Sequence, residues 1–92
     1  MADSKHFVDR HREALISRMY AVDGVLDGLL QANLLDDEHY DRVRCQNTSQ
    51  DKMRELYTYI RGWGNKDKDT LFNILLNKNR PLIQDLLSPN NA

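Results

Sequence analysis

The chain has 92 residues, of which 13 are Lys or Arg and 14 are Asp or Glu, giving a net charge of −1, with 40% hydrophobic and 29% charged residues. Such a length holds one domain whose core covers about 60–65% of the surface the unfolded chain exposes, and the composition is globular rather than disordered. Near-neutral charge argues against a phosphate-neutralising nucleic-acid binder, the lone Cys45 excludes an intrachain disulfide, and no apolar run approaches the roughly 20 residues needed to span a membrane.

The opening segment, Met1-Ala2-Asp3-Ser4-Lys5-His6, lacks the apolar stretch of a secretory signal, so the expectation is a soluble cytoplasmic protein. Strand patterning is weak throughout, whereas helical periodicity recurs at short intervals. Ser4 can cap a first helix over 4–20, with Val8, Leu15 and Met19 as its apolar stripe and Phe7, His11 and Ile16 on the flanks. A second helix, 23–32, carries Val25, Leu26, Leu29 and Leu30, and Asn33 suits its end because Asn tolerates the left-handed conformation. Asp36 can cap a third helix, 36–45, with Leu35 and Tyr40 spaced as a hydrophobic staple. Thr48 and Asp51 form a weak capping box for a fourth, 48–62, in which Met53, Leu56, Tyr57 and Ile60 keep helical spacing; Gly62-Trp63-Gly64-Asn65 ends it. A fifth, 67–78, is apolar nearly all round through Leu71, Phe72, Ile74, Leu75 and Leu76, which predicts a central position. A sixth, 80–87, holds Leu82, Ile83, Leu86 and Leu87, after Asn79 and around Pro81, and is closed by Ser88-Pro89. Short links between these segments predict one antiparallel bundle forming a single domain over 1–92.

No catalytic constellation emerges. His6, His11 and His39 form no H-x-x-x-H pair, and there is no C-x-x-C, so no metal site and no cofactor are expected. Cys45 with a distant histidine suits a nucleophile and base less well than it suits a half-buried helical cysteine. The four glycines lack phosphate-loop spacing, and Asp36-Asp37-Glu38 lacks the alternating ligands of a calcium loop, standing instead at a helix N-terminus where carboxylates are favoured.

Charge is more informative. From Ala21 to Asp41 the chain holds six acids and no Lys or Arg. Asp23 and Asp27 are neighbours on one helical face, a like-charge spacing that costs a few tenths of a kcal/mol unless something uses it. The first predicted helix carries Arg10, Arg12 and Arg18; the fourth carries Lys52, Arg54 and Arg61. If those two helices are adjacent, a basic side stands apart from an acidic side on the second and third. Separated patches of this kind let copies join head-to-tail, and a contact that does not close into a ring makes a filament. Arg12 lies close to the apolar stripe and so has a structural reading as well. Trp63, in a Gly-flanked turn, reads equally as an interface anchor or as a lid on the bundle end.

The segment His6-Phe7-Val8-Asp9-Arg10-His11-Arg12, with Ala14-Leu15-Ile16 and Arg18 after it, resembles the start of caspase-recruitment domains (CARDs) of the inflammasome adaptor and sensor subgroup. The likeness continues through Val22-Asp23, Leu26-Asp27, Tyr40, Val43, Lys52-Met53-Arg54, Leu56, Trp63 and Asp85-Leu86, spanning nearly the whole chain. The resemblance implies an all-α, six-helix antiparallel death-fold bundle of Greek-key-like topology, often with a bent first helix. It implies homotypic assembly into helical filaments, with Arg12, Arg18 and Arg54, and also Arg10, Lys52 and Arg61, facing Asp23 and Asp27, with Asp36 and Asp37 nearby, and Trp63 in a second contact. The implied partners are copies of itself and other CARD proteins: an ASC-like adaptor, an NLR-family sensor and an inflammatory procaspase. Neither nucleic acid nor a membrane is expected. Glu55 stands where such domains carry another basic residue, Pro81 where an aromatic partner would sit, and one extra residue falls around 31–34. These departures support a second reading, a monomeric heterotypic domain that caps or seeds a partner's filament.

Overall fold

The first predicted helix, 4–20, is divided in two. In the computed structural model, which describes residues 6–87, α1 (Phe7–Arg10) and α2 (Arg12–Arg18) meet at His11, whose backbone leaves the helical region at φ −107°, ψ 26°. Its N–H still closes α1 on the Phe7 carbonyl, while its carbonyl accepts the first bond of α2 from the Leu15 N–H. The predicted cap, Ser4, lies outside the described residues, as does the predicted Ser88-Pro89 stop. Within them the cap is His6, whose Nδ1 accepts the Val8 N–H at 3.2 Å. The break has a tertiary cause. α1 is drawn to α6 (Asn65–Lys78) by His6 Nε2 against Asp69 at 2.6 Å, by Lys68 Nζ against Asp9 at 2.8 Å, and by Phe7 edge-on to Phe72 at 5.0 Å. α2 instead packs along α5 (Ser49–Ile60). One straight rod cannot meet both partners.

The second helix segment also ends before residue 20. Met19 is extended, and Ala21 sits in the left-handed region at φ 51°, ψ 40°, a conformation that costs a side-chain-bearing residue about 1–2 kcal/mol. Asn79, the one buried polar residue among those described, holds the turn: its Oδ1 accepts the Tyr20 N–H at 3.1 Å and its Nδ2 donates to the Tyr20 carbonyl at 2.8 Å. Both backbone groups of Tyr20 are thereby satisfied by one side chain, which over-determines the turn that launches α3 (Val22–Gln31).

α3 closes on a Schellman motif. Asn33 adopts φ 65°, its N–H reaches the Leu30 carbonyl at 3.0 Å, and the Leu34 N–H reaches Leu29 at 2.9 Å. Asp36 caps α4 (Asp37–Arg44) by accepting the His39 N–H at 2.8 Å, and Thr48 caps α5 through the Asp51 N–H at 3.0 Å. α5 ends at Ile60, and α6 begins at Asn65, two residues before the predicted 67, so the Trp63 turn keeps its predicted length and lies two positions earlier in the chain. α7 (Arg80–Leu87) follows Asn79 directly.

Among the described residues there are seven helices and no strand, an all-α fold. α5 packs against α2, α3 and α4, while α6 packs against α1, α3 and α7. Leu15, Leu26, Leu56, Ile60, Leu71 and Leu75, all fully buried, mark the core between these two helices and their neighbours. α6 is less enclosed than its composition predicted: Phe72, Ile74 and Leu76 are only half-buried. α3 and α6 approach closely at Gly28, where an added Cβ would stand 3.0 Å from Ile74 Cγ2.

Candidate functional site

The basic candidates divide by helical phase. Successive residues on a helix are about 100° apart, so Lys52 and Arg54 diverge by about 200°, whereas Arg54 and Arg61 point the same way. Arg54 and Arg12 line a shared cleft of about 300 Å³ between α5 and α2, with Glu13, Ile16, Ser17 and Gln50. The Arg12 guanidinium lies 5.4 Å over the Tyr57 ring, and the Tyr57 hydroxyl donates to the Val8 carbonyl at 2.7 Å in the interior. Burial pushes the Tyr57 phenol well above its ordinary pKa; Asp9 adds to that, and Arg12 opposes it. Arg12 is thus both a structural residue and an exposed cation. Arg54 makes an ion pair at 2.9 Å with Asp51 of its own helix. Arg10 and Arg61 are exposed and make no ion pair among the described residues.

The other two predicted cations are engaged elsewhere. Arg18 Nη2 lies 2.9 Å from Asp85 on α7. Lys52 Nζ lies 3.0 Å from Asp23 Oδ1 on α3, and Arg44 approaches the other oxygen at 4.0 Å. A predicted basic residue and a predicted acidic residue are therefore partners within one subunit. The expected clean separation of signs is incomplete at this point.

On α3 and α4 the acids differ in their surroundings. Asp23 faces two cations. Asp27, one turn on, faces none among the described residues and accepts a hydrogen bond from the Tyr40 hydroxyl. That bond, with burial and the Asp27 charge adding, raises the Tyr40 pKa, while Arg44, 5.8 Å over the Tyr40 ring, opposes the rise. Asp36 is occupied by capping and by His39 Nδ1 at 3.5 Å. Asp37 is exposed in the first turn of α4.

Trp63 is half-buried against the core, and its backbone N–H donates to the Ile60 carbonyl at 3.0 Å in the turn after α5. Glu55 accepts from the Tyr59 hydroxyl at 2.6 Å, and Tyr59 stacks on His39 at 4.2 Å, joining α5 to α4. Cys45, expected to be half-buried, is exposed at the end of α4, with its Sγ 3.3 Å from the Arg42 carbonyl. It stands two positions after the buried Val43, about 200° round the helix, which points its side chain away from the core. No group of metal-binding side chains occurs among the described residues, and no helix there is long and apolar enough to cross a membrane.

Three residues of this arrangement escaped sequence reading: Asn79, the Tyr40 hydroxyl and Arg44. The Lys52–Arg54 phase difference was a usable signal; the partners of Asn79 and Arg44 were not.

The sequence model of the caspase recruitment domain family matches residues 5–88. The chain is 45% identical over 85 residues to the apoptosis-associated speck-like protein containing a CARD of Mus musculus, covering 92% of this chain and 44% of that protein. It is 46% identical over 81 residues to the Bos taurus protein of the same name, covering 88% and 41%. Similarity also extends to the NACHT, LRR and PYD domains-containing protein 1b allele 3 of Mus musculus, at 43% over 82 residues, which is 89% of this chain and 7% of that one. The chain thus spans less than half the length of each of these relatives.

Proposed function

The chain belongs to the caspase recruitment domain family, and from that premise we propose that it is a single homotypic interaction module of inflammasome signalling, without catalytic activity. Counting α1 and α2 as one bent helix, its segments correspond to the six-helix, Greek-key death fold. Its binding surface is the exposed pair Arg12 and Arg54 at the α2–α5 cleft, extended by Arg10 and Arg61. The complementary surface of the next copy is Asp27 and Asp37 on α3 and α4. Copies joined this way add head-to-tail into a cytoplasmic filament that recruits an ASC-like adaptor, an NLR-family sensor or a procaspase, with Trp63 in a second contact. One observation carries the reading: two arginines from different helices share a cleft on one side, while Asp27 and Asp37 have no cation partner among the described residues.

Exposed ion pairs contribute about 0–1 kcal/mol each, so strength comes from repetition along the filament. Arg54→Glu and Asp27→Arg should each leave the melting temperature near that of the parent and abolish filaments in electron micrographs. A one-to-one mixture of the two should assemble again, because intact faces meet at one junction and the reversed charges at positions 54 and 27 meet at the next. Parent-like filaments from either variant alone would overturn the reading. A second reading, a monomeric domain that caps a partner's filament, is favoured by the internal Lys52–Asp23 pair, which removes two charges from self-recognition. Size-exclusion chromatography at rising concentration separates the two.

A further inference from the structure

We infer that Tyr40 is a positioning residue of the acidic surface: its hydroxyl aims the Asp27 carboxylate at the docking arginines of the next molecule, while Asp23 serves as an internal stitch and takes no part in docking. The inference rests on the interaction reading above and names the residue that sets its specificity.

Four side chains from three helices form one chain of contacts beside Asp27. Lys52 of α5 holds Asp23 of α3 at 3.0 Å, and Arg44 of α4 lies 4.0 Å from the same carboxylate. Arg44 also sits 5.8 Å over the Tyr40 ring, and the Tyr40 hydroxyl donates to Asp27 Oδ1. The two aspartates are one turn apart on α3 and would repel each other if both were bare. The fold resolves this asymmetrically: Asp23 is neutralised by cations, and Asp27 is held by a neutral hydroxyl. A neutral donor orients a carboxylate without cancelling its charge. Asp27 Oδ2 makes no hydrogen bond or ion pair among the described residues, so one oxygen is fixed and the other stands ready for a guanidinium. Pre-ordering matters because a contact otherwise has to immobilise a free side chain at the moment of docking, at an entropic cost that lowers affinity by roughly three- to tenfold. Arg44 in turn fixes the phenol ring from above, so the aim of Asp27 is set from a helix other than its own.

The test uses the 92-residue chain and reads the onset concentration of light scattering, with the melting temperature alongside. Tyr40→Phe keeps the ring under Arg44 and removes only the hydroxyl. It should raise the onset roughly three- to tenfold at an unchanged melting temperature. In an Asp27→Asn background, whose own onset is higher, adding Tyr40→Phe should shift the onset no further, because the two act as one unit. Asp27→Arg is the control on the underlying reading: assembly that survives it overturns that reading and this inference together. Assembly blocked by Asp27→Arg but parent-like in Tyr40→Phe overturns the positioning role alone. So does an equal shift from Tyr40→Phe in both backgrounds, which would mean that the hydroxyl acts somewhere other than through Asp27.

Discussion

The α2–α5 side of the molecule and the α3–α4 side carry similar numbers of charges and use them differently. Along the α2–α5 cleft, Arg12 rests on an aromatic ring and Arg54 on a carboxylate of its own helix, so neither cation is tied across to another element by an ion pair. On the α3–α4 side, Asp23 is clasped by Lys52 and Arg44 from two other helices, and Asp27 is held only by a phenol. The first side displays its charge; the second uses part of it to hold three helices in register. Sign along a sequence therefore says which patch a residue could join, and tertiary pairing decides which residues are available to it.

The comparison breaks most thoroughly at α5, the helix both sides share. Leu56 is fully buried there, and Leu56→Ala should destabilise the fold by about 2–5 kcal/mol, visible as a lower urea midpoint and as loss of assembly by both faces at once. Next in size is the hinge between the sides. Asn79→Ala removes both bonds to Tyr20 and leaves a partly buried N–H and C=O without them while Ala21 stays in its left-handed turn; about 2–3 kcal/mol of stability should go. Asn79→Asp, which retains the acceptor but not the donor, should recover only part of it.

Tyr57→Phe sharpens the comparison by acting beneath Arg12, where α5 is bonded to α1. Loss of the bond to the Val8 carbonyl should cost about 1–2 kcal/mol near neutral pH. The pH dependence has a definite sign. Burial raises the Tyr57 pKa in the folded state, whereas the unfolded phenol releases its proton near pH 10. The contribution is therefore fully present below about pH 10 and is lost as pH rises beyond it, because the unfolded state ionises first. Denaturation curves across pH 9–11 should fall more steeply for the parent than for Tyr57→Phe, and parallel curves would remove Tyr57 as the source.

Much of the fold was legible because its signals are local. Asp36 and Thr48 cap helices by bonds to residues three positions on, and Asn33 ends one through its own backbone; each interaction lies within the window in which a sequence is read. The apolar stripes likewise named Val8, Leu15, Leu26, Leu56 and Ile60, all fully buried. The break at His11 was not readable from the residues because its cause is distant: His6 and Asp9 answer to Asp69 and Lys68 on α6. Asn79 is the same case, a turn residue by type whose partner, Tyr20, lies 59 positions away. The candidate site was half legible. Residue type and spacing found the arginines and aspartates, but the assignment of Lys52 to the same face as Arg54 ignored a phase difference of about 200°. That Asp23 is internally paired follows only from the packing of α3 against α4 and α5.

The smallest expected effect is also the most discriminating between the two sides. Lys52 is 19% exposed and Asp23 51%, so solvent screens the pair from the Asp23 side, and Lys52→Met should cost no more than about 1 kcal/mol. Arg44 remains beside Asp23 to share its charge, which reduces the loss further. Arg54→Met removes a pair within one helix, worth about 0.2–0.5 kcal/mol. Stability alone would rank Lys52 as the more important residue. Assembly should rank them the other way: Arg54→Met raises the onset concentration of scattering, and Lys52→Met leaves it near the parent value, because its charge already faces inward. Moderate salt should erase the stability cost of Lys52→Met by screening, and should weaken assembly of the parent in the same range. If Lys52→Met impaired assembly as strongly as Arg54→Met, the clasp would belong to the docking surface after all, and the division of labour between the two sides would have to be redrawn around α5 as a whole.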